Sequence, residues 1–186
     1  MDIIIKKISP ELLDDYLFFF DNMVFSENPD WSKCYCYSFH FTGPDESWNK
    51  KANRAAVSKM IQEDKLRGYL AYSNNTAVGW CNANDRNNYQ SLRNIYTLDE
   101  DSEAKICSVV CFLISPEFRR KGIAKLLLDR IIEDYGSNDY EYLEAYPLKD
   151  DHSCEKNYRG PLGLYEENNF KLLKEFDKYR IVRREL

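Results

Sequence analysis

Three consecutive cations followed by a glycine, Arg119-Arg120-Lys121-Gly122-Ile123-Ala124, stand between a predicted strand over 105–114 and a predicted helix over 122–135. These residue types suit an anion. The first amide N–H groups of a helix lack intrahelical acceptors and point along its axis, so phosphate oxygens can accept from them. Gly122 lets a backbone approach closely. A charge at an exposed helix start is worth about 0.3–1 kcal/mol, approaching 2 when partly buried, so several N–H bonds and the flanking side chains must share the task. Spacing excludes two other phosphate loops: the lysine precedes the single glycine, so there is no G-x-x-x-x-G-K-S/T, and no G-x-G-x-x-G follows the first strand. Taken alone, a solvated basic turn before a core helix explains the six residues about as well.

Cysteine offers a second chemistry. Cys34-x-Cys36 could supply two metal ligands, with Cys81 or His40 completing a zinc site, but no second paired motif follows. The expectation is therefore no metal and reduced, buried thiols. Cys107 and Cys111 fall on an apolar strand and read as core. Neither reads as a nucleophile, since no histidine lies near them in sequence and the only two, His40 and His152, sit in polar loops. The aromatics Trp31, Tyr35, Tyr37, Phe39, Phe41 and Trp48 either form a wall that holds a cationic amine or make a small satellite core. Arg86 and Arg93, with Asn87, Asn88 and Tyr89 between them, either recognise a carboxylate or form a solvated loop.

The elements that would position these groups follow from periodicity. A strand over 1–6 leads through Ser9 and Pro10, an N-cap and first-turn pair, into a helix reaching about residue 23. Residues 28–48 read as irregular, 49–63 as a helix, and 68–72 with 76–81 as a hairpin turning at 73–75. In the helix after Gly122, Ile123, Leu127, Ile131 and Tyr135 recur four apart, and Gly136 ends it. A strand over 140–147, a short helix over 161–168 and two strands over 170–186 complete the chain. With no repeat, linker or low-complexity stretch, 186 residues make one domain, 1–186. The class is α/β, a mixed sheet with helices on its faces. A net charge of −5 argues against nucleic acid, whose phosphates require clustered cations. The start has no signal-peptide pattern and no apolar run is long enough for a membrane span, so a cytoplasmic protein with no membrane partner is expected.

In this context the sequence resembles the GNAT superfamily of N-acetyltransferases, whose cofactor motif is R/Q-x-x-G-x-G/A between strand and helix. Arg119, Gly122 and Ala124 match it. Leu164-Tyr165-Glu166-Glu167-Asn168-Asn169-Phe170 is similar to the family's L-Y-x-x-x-G-F, with Asn169 where glycine is usual. Gly79-Trp80-Cys81, Ser108-Val109-Val110-Cys111-Phe112, Glu144-Ala145-Tyr146-Pro147 and Gly160-Pro161 resemble one bacterial-type group within it. The resemblance implies a three-layer sandwich around a mixed, mostly antiparallel sheet. It implies acetyl-CoA as cofactor, with the backbone of Phe112, Leu113 and Ile114 pairing with pantetheine. Arg119, Arg120, Lys121, Gly122, Ile123 and Ala124 would take the pyrophosphate, Asn157 would touch the cofactor, and Tyr165 would serve the departing thiolate. The aromatic insert would shape the acceptor pocket.

Acyl transfer from a thioester to an amine sets further demands. A lysine-like amine with pKa about 10.4 costs roughly 4–5 kcal/mol to deprotonate at pH 7, so a base or water chain must take the proton. Glu144 is the preferred candidate, with Asp99 and Glu100 behind it; the alternative for Glu144 is a carboxylate exposed on an edge or paired with an arginine. An unperturbed tyrosine is a weaker acid than a thiol, so hydrogen-bonding the developing charge is the safer role for Tyr165. The Phe112 N–H would polarise the carbonyl. The expected acceptor is a small-molecule or peptide amine, and the oligomeric state stays open, a homodimer among the options. The rival reading is a non-catalytic acyl-coenzyme A-binding sensor or partner-binding module.

Overall fold

The computed structural model describes residues 2–92, 103–149 and 157–186. Among the described residues seven strands form one sheet: β1 (Ile4–Lys7), β2 (Gly68–Ser73), β3 (Thr76–Asp85), β4 (Ile106–Ile114), β5 (Tyr142–Ala145), β6 (Lys171–Glu175) and β7 (Arg180–Glu185). Their order is β1-β2-β3-β4-β5-β7-β6. Every neighbouring pair is antiparallel except β4 and β5, which run parallel. Among the described residues four α-helices accompany the sheet: α1 (Leu13–Phe18), α2 (Lys50–Gln62), α3 (Ile123–Gly136) and α4 (Leu162–Glu166).

The sheet is covered on both sides, as the expected three-layer sandwich requires. On one face Tyr16, Phe20, Val57 and Ile61 pack with Trp80 and Val110. On the other, the α3 stripe of Ile123, Leu127, Leu128 and Ile131 packs on Val78, Cys81, Val109 and Leu143. Leu127 and Ile131 are wholly buried, each worth about 1.5–3 kcal/mol of transfer free energy, which anchors the helix and hence the loop that precedes it. Among the described residues no helix is long and apolar enough to cross a membrane.

Local chemistry explains the turns. Asn74 and Asn75 both adopt positive φ, 47° and 61°, in a two-residue hairpin loop whose twist matches the flanking strands. Asn169 sits at φ 62°, the left-handed region that asparagine tolerates better than most residues, so it can replace the expected glycine. Two elements differ from the sequence reading. The helix expected over 10–23 is a 3-10 turn at Pro10–Leu12, then α1, then a widened π-helical turn at Phe19–Met23. Adjacent side chains on a regular α-helix diverge by about 100°, and the wider turn lets both Phe19 and Phe20 reach the core. Strand β3 runs to Asp85 rather than stopping near residue 81. Its extension carries buried asparagines whose amides are satisfied: Asn84 Nδ2 donates to the Lys65 carbonyl at 3.0 Å.

Candidate active site

The parallel pairing of β4 with β5 ends at Val109 opposite Ala145. Tyr146 and Pro147 follow, and proline has no N–H to continue a ladder. The last residues of β4 therefore pair only with β3 on their other side. In the opening, Phe112 N–H donates to the Tyr158 carbonyl at 2.6 Å, so a loop segment rather than a strand meets β4 there.

Strand alternation then sorts the side chains into two cavities. Phe112 and Ile114 line one of about 500 Å³, with Arg119, Gly122, Ala124 and Asn157 around its rim. Cys111 and Leu113 line another of about 310 Å³, walled by Trp31, Trp48 and Tyr158. A small recess of about 20 Å³ touches both groups, sharing Phe112 and Arg119 with the first and Trp31 and Leu113 with the second. The two cavities thus meet where Phe112 contacts Tyr158.

The first cavity has the donors an anion needs. Gly122 caps α3 at φ 79°, and a Cβ there would meet nothing within 4 Å, so the backbone stands open. The N–H groups of Ile123, Ala124 and Lys125 begin the helix beside it. Arg119 Nε donates to the Ile114 carbonyl at 3.2 Å and its guanidinium pairs with Glu27. Arg120 takes φ 58°, turning the chain sharply before the helix, and Lys121 Nζ lies 5.0 Å above the Phe118 ring. No carboxylate lines this cavity among the described residues. Asn157 Oδ1 is buried without a hydrogen-bond partner, an acceptor that an amide N–H would satisfy. Basic side chains, free helix amides and a lone acceptor on an apolar floor fit a phosphorylated ligand carrying an amide arm.

Tyr165 stands behind this wall. It is wholly buried, its ring 6.5 Å from that of Phe112, and its hydroxyl donates to the Arg159 carbonyl at 2.5 Å. Gly160, at φ 77°, lies against it; a Cβ there would come within 3.0 Å of the Tyr165 hydroxyl.

Glu144 lines neither cavity. It is 1% exposed. Arg183 donates to Oε1 through Nε at 3.0 Å and Nη2 at 2.5 Å, while Arg86 Nη1 at 3.3 Å and the Tyr146 hydroxyl at 3.2 Å donate to Oε2. Both oxygens are engaged, and the arginine-paired alternative is the arrangement observed. Arg86 is accordingly buried rather than in a solvated loop.

The aromatic insert divides in the same way. Trp31, Phe39 and Trp48 line the second cavity, Tyr37 stacks on Trp48 at 6.2 Å, and Phe41 meets Trp48 edge-on at 4.9 Å. Tyr35 is core, and its hydroxyl donates to Asp21. Asp30 is the carboxylate in the wall of this cavity. Cys81 faces the opposite side of the sheet from Cys36, and among the described residues no group of histidine, cysteine and carboxylate side chains gathers for a metal. Arg93, Asp99, Glu100 and His152 lie outside the described residues. The sequence reading passed over Tyr158 and Asp30. Only the turn residues of Asn157-Tyr158-Arg159-Gly160-Pro161 signalled that the chain doubles back there.

The acetyltransferase (GNAT) family model matches residues 27–164, most of the chain, including β4, β5 and the loop from Arg119 to Ala124. The chain belongs to the GNAT acetyltransferase family. No curated protein matches the sequence. Among solved structures, the PaiA N-acetyltransferase of Thermoplasma acidophilum in complex with coenzyme A is 15% identical with a TM-score of 0.60, covering 100% of each chain. A GNAT-family acetyltransferase of Streptococcus pneumoniae is 13% identical with a TM-score of 0.57, again covering 100% of each chain. An N-acetyltransferase of Staphylococcus aureus Mu50 is 16% identical with a TM-score of 0.56, over 100% of this chain and 98% of its own. At these identities the likeness is one of fold.

Proposed function

We propose that this GNAT chain, as one catalytic domain over residues 1–186, is a cytoplasmic N-acyltransferase that moves an acetyl or similar acyl group from acyl-coenzyme A to a primary amine. The reading rests on one observation above others: a cation-rimmed cavity at the start of α3 and an aromatic cavity containing Asp30 converge on the Phe112 amide. Coenzyme A would supply the activated thioester on a long phosphorylated arm. The helix amides of Ile123 and Ala124, with Arg119, Arg120 and Lys121, would hold its pyrophosphate. Phe112, Leu113 and Ile114 would offer backbone groups to its amides once the Tyr158 carbonyl gives up the Phe112 N–H, and Asn157 Oδ1 would accept from an amide nearby.

On the acceptor side, Trp31 and Trp48 would face a cationic amine and Asp30 would orient it, water carrying the proton away as the amine becomes neutral. Glu144, with both oxygens held by arginines and Tyr146, would position the end of β5 and not act as the base. Tyr165 would lend its hydroxyl to the thiolate that leaves, releasing the Arg159 carbonyl.

A free-thiol release assay over a panel of primary amines, with Tyr165→Phe beside wild type, tests this reading. Turnover on at least one amine, with kcat lowered about 10- to 100-fold and KM little changed in the variant, is expected. Binding of acetyl-coenzyme A without turnover on any amine, and no effect of the substitution, would leave the non-catalytic binding module as the better account.

A further inference from the structure

One side chain in the second cavity is surrounded by donors that acyl transfer does not require. Cys36 is 2% exposed and lines that cavity together with Cys34 and Cys111. The sheet explains what meets it. Asn82 of β3 stands opposite Cys111 of β4, and Trp80 opposite Leu113, so these four side chains share one face of the sheet. Asn82 Nδ2 donates to the Cys36 carbonyl at 3.2 Å and to Cys36 Sγ at 3.4 Å. The amide cannot be turned round, because a carbonyl accepts only from the NH₂ end and the Tyr89 hydroxyl donates to Asn82 Oδ1 at 2.7 Å. The Trp80 indole N–H is buried without an acceptor of its own. The Cys36 sulfur thus accepts from an amide N–H and shares its cavity wall with a second thiol, Cys111, surroundings that favour its anion.

We propose that Cys36 is a site of reversible oxidation by small hydroperoxides, with Cys111 as the thiol that resolves it into a disulfide across the second cavity. The thiolate of Cys36 attacks one peroxide oxygen; an S–O bond forms, the O–O bond breaks, and the departing alkoxide or hydroxide takes a proton. Sulfur is oxidised by two electrons and the peroxide is reduced. The Cys111 thiol then loses its proton and attacks the Cys36 sulfenic sulfur; the S–S bond forms and hydroxide leaves as water with that proton.

The two thiols differ in the sense such a pair requires. Burial pushes the Cys36 thiol up, but hydrogen bonding, first from Cys111 and then from Asn82, outweighs it and leaves the group below its ordinary value. Cys111 is pushed well above its ordinary value, first by the hydrogen bond it gives Cys36 and then by burial. Cys34 is raised by burial and by Cys36, so it is the poorer nucleophile at the same wall. Access comes through the cavity of about 310 Å³, wide enough for a small peroxide. Because Cys111 immediately precedes Phe112, a bond to Cys36 would tie the aromatic insert to β4 beside the junction of the cavities.

Peptide mapping decides the matter and does not depend on the acyl-transfer reading. The reduced full chain is treated under native conditions with hydrogen peroxide at stoichiometric amounts, alkylated, and digested without reductant. Expected is a Cys36–Cys111 cross-linked peptide, with loss of those two thiols from alkylation before Cys81 or Cys107 is touched and recovery on adding dithiothreitol. In Cys111→Ser, dimedone is expected to label Cys36. Oxidation elsewhere while Cys36 and Cys111 stay alkylatable would overturn the proposal, as would a Cys34–Cys36 link in place of the expected one. The wild-type map alone decides if the variant fails to fold.

Discussion

Glu144 is held by two guanidiniums and a phenol, and the consequence of losing its charge follows from that. Removing one partner of a buried ion pair leaves the others desolvated without compensation, at a cost of about 3–5 kcal/mol. Glu144→Ala is expected to lower the stability of the chain by that order, read as a fall in the urea midpoint at constant m. A base dedicated to chemistry would show the opposite pattern: little change in stability and a collapse of kcat whose pH profile loses its acidic limb. Both measurements on one variant separate the roles, and a stable but inactive Glu144→Ala would return Glu144 to the catalytic set. Arg183→Ala is expected to destabilise less than the loss of Glu144, since Arg183 is partly solvated while the carboxylate is 1% exposed.

At the level of elements, α3 and its preceding loop were readable in advance because two independent patterns coincide there. The apolar recurrence from Ile123 to Tyr135 fixes the helix and its buried face, and the cations before Gly122 mark where the proposed pyrophosphate would lie. The end of β3 was not readable, because Asn82 and Asn84 look like loop residues until their amides are seen paired with Cys36 and Lys65. For the same reason the surroundings of Cys36 were invisible: they depend on a cross-strand register, Asn82 opposite Cys111, that no local spacing encodes. Glu144 was located on the right strand, but its partners come from residues 58 and 39 positions away. The Gly122 turn yields a prediction of its own. A residue there must take φ 79°, and its Cβ would enter open space beside the helix amides. Gly122→Ala should cost about 1 kcal/mol in stability through backbone strain, and Gly122→Asn less, because asparagine tolerates that region. If the space is where pyrophosphate sits, Asn should weaken coenzyme A binding more than it weakens the fold. Calorimetric titration beside thermal melts checks this; equal binding in Gly122→Asn and wild type would move the phosphate site elsewhere.

For the molecule as a whole, acid sensitivity above the carboxylate range should have its source in one buried imidazole. His40 packs against Tyr89, ring centroids 4.9 Å apart, and Tyr37, and its Nδ1 lies 3.1 Å from the Asn88 carbonyl. A carbonyl can only accept, so Nδ1 carries the hydrogen and Nε2 is the bare nitrogen; it is buried with no partner. Protonating it would place an N–H where nothing accepts. Burial accordingly lowers the group to about 4, the Asn88 carbonyl opposing only in part. The sign follows from linkage: between about 6.5 and about 4 the unfolded chain binds a proton at His40 that the folded chain does not, so stability falls as pH drops through that window. Spread over the whole window the loss amounts to about 3 kcal/mol at most. Carboxylates titrate in the lower part of the same range, so the informative quantity is the difference between wild type and His40→Phe. Urea unfolding at several pH values from 7 down to 4 should show a shallower decline in the variant, even if the unpaired Asn88 carbonyl makes it less stable at pH 7. Parallel declines in the two proteins would mean that His40 takes up its proton in the folded state as readily as in the unfolded one, and that the acid-labile groups lie elsewhere.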